Sequence, residues 1–244
     1  ARIAHSCKGL DPGNVSAAAT HTHTAPSQAP ATYPPQGPDV MKPEEYGEFL
    51  AERLAQAVKK AWENRAPGGI GFGTAYACVG FNRRMTTFSG ESVMYGNTNT
   101  EEFSHIEGDE DHTVNILTAY DHENNLTGAV LNIACPSQLS EMETFVSADF
   151  WHETRTEIRS RLGNDIFILP QCSAAGDQSP HLLTGRKAEA RMLHLKSGVP
   201  MQKTERETIE MRMAHRAEIG RRIADALENA LPLIEKDIRK EVKF

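Results

Sequence analysis

Two stretches of the chain repeat apolar residues at helical spacing. Ile209, Met213, Ala217, Gly220, Ile223, Leu227 and Leu231 fall on one face of a long C-terminal helix and read as core. Thr204 to Glu207, a threonine with a glutamate three residues on, reads as its capping box, and Pro232 marks an end or a kink. Phe49, Leu50, Leu54, Ala57, Val58, Ala61 and Trp62 give a second stripe over residues 43–64, where Pro43 suits a first helical position. Shorter helices are expected from Ser147, a plausible cap, to about Leu162, and over Arg186 to Leu195.

The strands are punctuated by turn residues. Val15 to Ala19 reads as a short strand of small residues running into His21 and His23. Ile70 to Phe81 reads as a strand running to Asn82-Arg83-Arg84, and Met85 to Asn97 as a hairpin turning at Ser89-Gly90-Glu91. Val114–Tyr120 and Leu126–Ala134 form a second hairpin across Asp121 to Asn125. Asp165 to Leu169 reads as a central strand. Between His23 and the first helix lies a loop with six prolines, Pro26 to Pro43, expected to wall a site beside the histidines. The order strand, helix, strands, helix, strand, helix predicts an α/β fold, a mixed sheet with flanking helices, over a single domain of residues 1–244.

Composition narrows the function classes. A net charge of -7 argues against a general nucleic-acid binder, which would show a basic stripe. No run approaches the roughly 18 apolar residues of a membrane span. Cys7, Cys78, Cys135 and Cys172 are scattered singly, with no CxxC pair. That usage, with no visible signal peptide, leans toward reduced thiols in a cytoplasmic protein.

Three predicted strand ends run into polar motifs: His21/His23, Cys135-Pro136-Ser137-Gln138 and Gly176-Asp177-Gln178-Ser179-Pro180. Sites in open α/β sheets lie beyond strand carboxyl ends, so one shared site is expected. In an extended chain His21 and His23 point to the same side, where a cation could sit between imidazoles. Arg83 and Arg84 read either as a solvated strand end or as a planar clamp for an anion or carbonyl. The acidic run Glu107 to His112 fits no calcium loop and reads as a solvated turn. Ser179 has no base at a recognisable spacing, so orienting substrate or water is preferred to a nucleophilic role.

Taken in order, these pieces resemble the neutral/alkaline, non-lysosomal ceramidase family. Thr20-His21-Thr22-His23-Thr24-Ala25-Pro26 looks like that family's Thr-His-Thr-His-Ser-Gly-Pro, and Asn82-Arg83-Arg84 like its Asn-Arg-Ser. Leu131 to Gln138 looks like the place of its Ala-Thr-His-Gly-Thr. Ser147-Ala148-Asp149 is similar to its Ser-x-Asp, and Gly176 to His181 to its Gly-Asp-Val-Ser-Pro-Asn. The resemblance covers about Ala18 to His181 and suggests a bacterial branch.

The resemblance implies a zinc-dependent hydrolase of N-acyl (amide) bonds, with metal-activated water and a small-molecule or lipid N-acyl substrate. It puts a Zn2+ ligand on His21 and a proton-shuttling, metal-side histidine on His23. It places the carbonyl-binding arginine on Arg83 and the serine needed for activity on Ser179. The family's next histidine ligand has Cys135 as its nearest counterpart, read either as a zinc thiolate or as a buried inert thiol. His152 and His181 are reserve ligands. The family's remaining ligands, a Glu and a Tyr, come from sequence beyond Phe244, and its first strands precede Ala1, so the chain resembles an interior fragment or a reduced member. The rival readings are a non-catalytic binding or structural domain with an incomplete metal site, and a metal-dependent esterase.

Overall fold

The computed structural model describes residues 3, 7–30, 33–34, 37–201 and 208–242. They form two compact units: residues 1–18 with 25–67, and residues 19–24 with 68–244.

The first unit is built on helix α1, Pro43–Glu63. Pro43 sits in its first turn, and Glu45 reaches back to accept from Lys42 N at 2.9 Å. The periodicity gave the helix its extent, but of its face only Ala55 is buried, while Phe49 and Leu54 are exposed. The indole of Trp62 donates to the carbonyl of Lys8 at 3.0 Å.

The second unit is a mixed α/β body with three sheets. Its main sheet contains β1 (Gly69–Tyr76), β6 (Thr113–Tyr120), β7 (Leu126–Ile133) and β8 (Phe167–Cys172), in the order β1-β6-β7-β8. β1, β6 and β7 run antiparallel, and β8 joins β7 in parallel. Helix α2 (Phe150–Leu162) makes that parallel crossover, and the long helix α4 (Ile209–Ile234) packs along β1 and β6 and against α2. Ile116, Leu131 and Ile133 from the sheet, Phe150, Trp151 and Ile158 from α2, and Ile219, Ile223 and Leu227 from α4 form the core. Gly71 and Gly73 let Ile234 lie directly on β1, where a Cβ would collide with its side chain. Gly220 plays the same part between α4 and α2, since a Cβ there would stand 2.8 Å from Thr154 N.

Two smaller ribbons sit beside this sheet. β3 (Arg84–Thr87) pairs with β4 (Ser92–Met94) across the turn at Gly90, and with β5 (Phe103–Ile106). β2 (Phe81–Asn82) pairs with β9 (Gln178–Ser179). Helix α3 spans Arg186–Ser197. Among the described residues no helix is long and apolar enough to cross a membrane.

Several local expectations are corrected. Residues 15–24 form no strand: Ser16 to Ala19 are exposed, because their small side chains bring too little apolar area to hold an extended segment against a sheet. The strand expected over Ile70 to Phe81 stops at Tyr76, and Phe81 begins a different ribbon. The segment expected as a central strand is β8, an edge strand whose Phe167 and Leu169 are exposed while Ile168 is buried. The cap of α2 is Asp149, not Ser147: the Asp149 carboxylate accepts from Phe150 N at 2.7 Å, while Ser147 Oγ accepts from Asp149 N. Thr204 to Glu207 lies outside the described residues, and Thr208 caps α4. The first turns of α4 bury Met211, His215 and Ile219 rather than Ile209 and Ala217, because Arg216 and Glu218 find ion-pair partners inside.

Candidate active site

The histidine stretch is held from behind by its threonines. Thr22 Oγ1 and Thr24 Oγ1 donate to the carbonyl of Ser147 at 3.3 and 3.2 Å, and Ser147 N donates to Thr24 O at 3.0 Å. On the other side, Ser137 N donates to Thr20 O, and His23 N to Ser137 O. The alternation Thr-His-Thr-His-Thr thus turns Thr24 inward and leaves His21 and His23 exposed. Their rings stack with centroids 5.1 Å apart. The two histidines share one side as expected, although His21 reaches it with a positive φ of 58° rather than from a strand.

A second arm comes from the β2–β9 ribbon, which sets Phe81 opposite Ser179 and Asn82 opposite Gln178. Asn82 Nδ2 donates to Asp177 at 3.2 Å, and Arg83 N to Asp177 O at 2.8 Å. The Arg83 guanidinium is fixed at two points. Nε and Nη2 donate to Gly176 O at 3.2 and 2.8 Å, and Nη1 donates to the Tyr95 hydroxyl at 3.3 Å. That hydroxyl donates to Ser179 Oγ at 3.0 Å and accepts from Gln138 Nε2. Ser179 is fully buried, and its Oγ also accepts from His181 N at 3.1 Å. Arg84 turns away into an ion pair with Glu107, so the two adjacent arginines divide between clamp and surface.

Glu141 lies between two histidines. Its Oε2 is 3.5 Å from His23 Nδ1 and its Oε1 is 3.4 Å from His181 Nε2, which also stands 3.0 Å from Gln138 O. The hydrogen bond with His181 holds the Glu141 carboxyl below its ordinary range, with His181, His23 and Arg83 adding positive field. His21 is held below the ordinary imidazole range by partial burial first, then by His23 and Arg83. Among the described residues, three of the four non-glycine residues with positive φ, His21, Tyr95 and Asp149, belong to this region or brace it. Such backbone is strained by about 1 kcal/mol or more each and gathers at functional sites.

Cys135 is a core residue. It is 1% exposed in the main core, its thiol contacts the carbonyls of Val79 and Pro136, and burial pushes its pKa well above the usual thiol range. His152 is exposed in the first turn of α2, and His181 joins the Glu141 cluster. The acidic run is a pairing loop: Glu107 pairs with Arg84, and Glu110 accepts from Asn82 N at 3.0 Å.

Sequence reading missed Tyr95 and Glu141. Tyr95 falls inside the predicted hairpin Met85 to Asn97, where nothing sets it apart from a strand residue, and Glu141 lies in no motif-bearing stretch. The fit to zinc is partial. His21 and His23 offer two imidazoles, but among the described residues no group of three or more His, Cys, Asp or Glu side chains is arranged to hold a metal ion. Catalytic zinc usually has three protein ligands.

No protein-family profile and no curated protein matches the sequence. Solved structures do. The neutral ceramidase from Pseudomonas aeruginosa is similar over 80% of this chain, with a TM-score of 0.53 and 14% identity. A ceramidase complexed with C2 is similar over 80% of this chain, with a TM-score of 0.54 and 13% identity. The chain spans 27% of the length of each. At this identity the likeness shows the fold alone: the chain has a ceramidase-like α/β fold.

Proposed function

We propose that residues 1–244 carry a catalytic domain that hydrolyses an N-acyl (amide) bond in a small-molecule or lipid substrate. The observation that carries this reading is the two-point fixation of Arg83 by Gly176 O and the Tyr95 hydroxyl, beside the His21–His23 pair, in a ceramidase-like fold. An amide carbonyl gains negative charge on oxygen when it is attacked. A guanidinium has five N–H donors, and those left over after Gly176 and Tyr95 can meet that oxyanion. Because Arg83 is already held, little reorganisation is needed at the moment of reaction.

Ser179 acts through Tyr95 in this scheme. Its fully buried Oγ is poorly placed to attack a substrate, but it receives the Tyr95 hydroxyl and so orients the group that braces Arg83. His23 is the side chain that moves protons, since its exposed ring can take one from water and return it to the leaving amine. Zn2+, with His21 as the imidazole that would hold it and His23 on the metal's side, would supply an activated water and a polarised carbonyl.

The two-donor metal set favours a second reading, a binding domain that keeps this fold without turnover. Elemental analysis of the purified chain separates the two when paired with amide hydrolysis. The hydrolase reading expects about one zinc per chain, lost in His21→Ala together with activity. A chain that stays metal-free and inactive after zinc is added back favours the binding domain.

A further inference from the structure

We infer that Arg155 and Arg159 of α2 lock the outer edge of β8, and that this edge, once unlocked, is a surface on which a second copy of the chain adds its own β8. The inference is independent of the hydrolase reading.

β8 is an edge strand, bonded to β7 on one side. The ladder fixes which of its backbone groups face outward. Ser173 N donates to Ile133 O at 2.8 Å, so Phe167, Leu169 and Gln171, at the same alternation, turn their groups toward β7. Ile166, Ile168 and Pro170 turn theirs away from the sheet. An open row of such groups is a template for another strand. Here the row is closed almost group by group. Ile166 N donates to Gly163 O at 3.4 Å. Arg159 Nε donates to Ile166 O at 3.1 Å, and Arg155 Nε donates to Ile168 O at 3.4 Å. Pro170 has no N–H to offer. Between Ile166 and Pro170, the Ile168 N–H and the Pro170 carbonyl are left open among the described residues.

The position of the two arginines has no other evident return for the fold. Both are partly buried and one helical turn apart. Burial, and then the charge of Arg159, lower the pKa of Arg155. Among the described residues neither pairs with a carboxylate, because the glutamates of α2 are engaged elsewhere, Glu153 with Arg216 and Glu157 with Arg161. Two like charges side by side add no ion-pair stability. What their placement achieves is cover for the β8 carbonyls.

The occupant that fits the unlocked edge is a second β8. In an antiparallel copy with Ile168 opposite Ile168, the two residues exchange N–H and C=O across a two-fold axis, and Phe167 of each copy meets Leu169 of the other. Those two side chains are 76% and 58% exposed, on the face of the sheet opposite the buried Ile168. The strand Phe167–Cys172 carries no charge that would oppose such pairing. The pairing needs the Ile168 carbonyl, the one that Arg155 holds.

Arg155→Met combined with Arg159→Met keeps apolar stems and removes the donors. Sedimentation velocity over a range of concentrations, beside far-UV circular dichroism, reads the result. The double variant is expected to keep its helical signal and to rise in mass toward two chains as concentration increases, whereas the wild type shows no association through β8. Leu169→Lys, added to the double variant, is expected to restore the wild-type mass, since a lysine on an edge strand opposes pairing. Amide exchange over residues 166–172 is expected to slow in the associated form. A double variant that matches the wild-type mass at every concentration overturns the inference. So does association that Leu169→Lys leaves unchanged, which belongs to another surface, or a wild type whose own association Leu169→Lys abolishes, because its edge is then already open. Should the double variant lose its circular dichroism, Arg155→Met alone, which frees the central Ile168 carbonyl, decides between the same outcomes.

Discussion

The Tyr95 hydroxyl donates to Ser179 Oγ across 3.0 Å, linking a loop residue after β4 to the buried end of β9. The same hydroxyl accepts from Arg83 Nη1 and Gln138 Nε2, so one oxygen ties together three segments of the chain. Tyr95→Phe removes that oxygen and keeps the ring. It leaves the buried Gln138 amide and Ser179 hydroxyl short of a partner. Urea unfolding is expected to show a loss of about 1–2 kcal/mol, and amide turnover is expected to fall because Arg83 loses one of its two braces.

Asp149 does two jobs with one carboxylate. Oδ1 caps α2 through Phe150 N, and Oδ2 receives Ser140 N. Asp149→Ala removes both acceptors at a fully buried position. The expected cost is about 2–3 kcal/mol, from the lost cap and the orphaned Ser140 N–H. Asp149→Asn keeps an acceptor oxygen and is expected to lose less than half of that, which equilibrium denaturation of the two variants would compare directly.

Much of the fold could be read from periodicity. The β6–β7 hairpin and α1 stand where alternating and helical patterns put them, because each is decided by contacts close in sequence. The N-terminal half of α4 was misread for the opposite reason. Its buried Arg216 is satisfied by Glu153, the Asp149 carbonyl and the Ser140 hydroxyl, partners that no local pattern reveals. The site followed the same division. His21, His23, Arg83 and Ser179 announced themselves by motif, and the structure places Arg83 and Ser179 on one ribbon network. Tyr95 and Glu141 are lone polar residues in loops, made significant only by tertiary folding that brings them to Ser179 and His23.

His215 gives the fold an acid sensitivity. It is buried on α4, neither ring nitrogen has a hydrogen-bond partner among the described residues, and Glu189 is 3.6 Å from Nε2. Burial first, then Arg222 and His181, lower its pKa from 6.5 to about 3. The unfolded chain therefore binds a proton more readily than the fold does. Stability contributed by the neutral ring is intact above 6.5 and falls as pH drops toward about 3. The loss is on the order of 3 kcal/mol by about pH 4. His215→Leu is expected to flatten this limb, so that its urea midpoint changes less than the wild type's between neutral and acid pH. An unchanged acid limb would assign the sensitivity to other groups.

The cysteines differ sharply in access. Cys78 is exposed, whereas Cys135 is 1% exposed with its thiol held protonated by burial. A disulfide reagent added to native protein is expected to modify Cys78 quickly and Cys135 only after denaturant is added. Rapid native labelling of Cys135, mapped by peptide mass, would show a thiol open to solvent and to metal.

Release of free amine from an N-acyl amide, by the wild type and by Arg83→Ala in the presence of zinc, tests the account most directly. Turnover by the wild type is expected, with a loss of about 10²-fold or more in kcat when the guanidinium is removed. No amine from the wild type, or equal rates from both proteins, would contradict an oxyanion site built on Arg83.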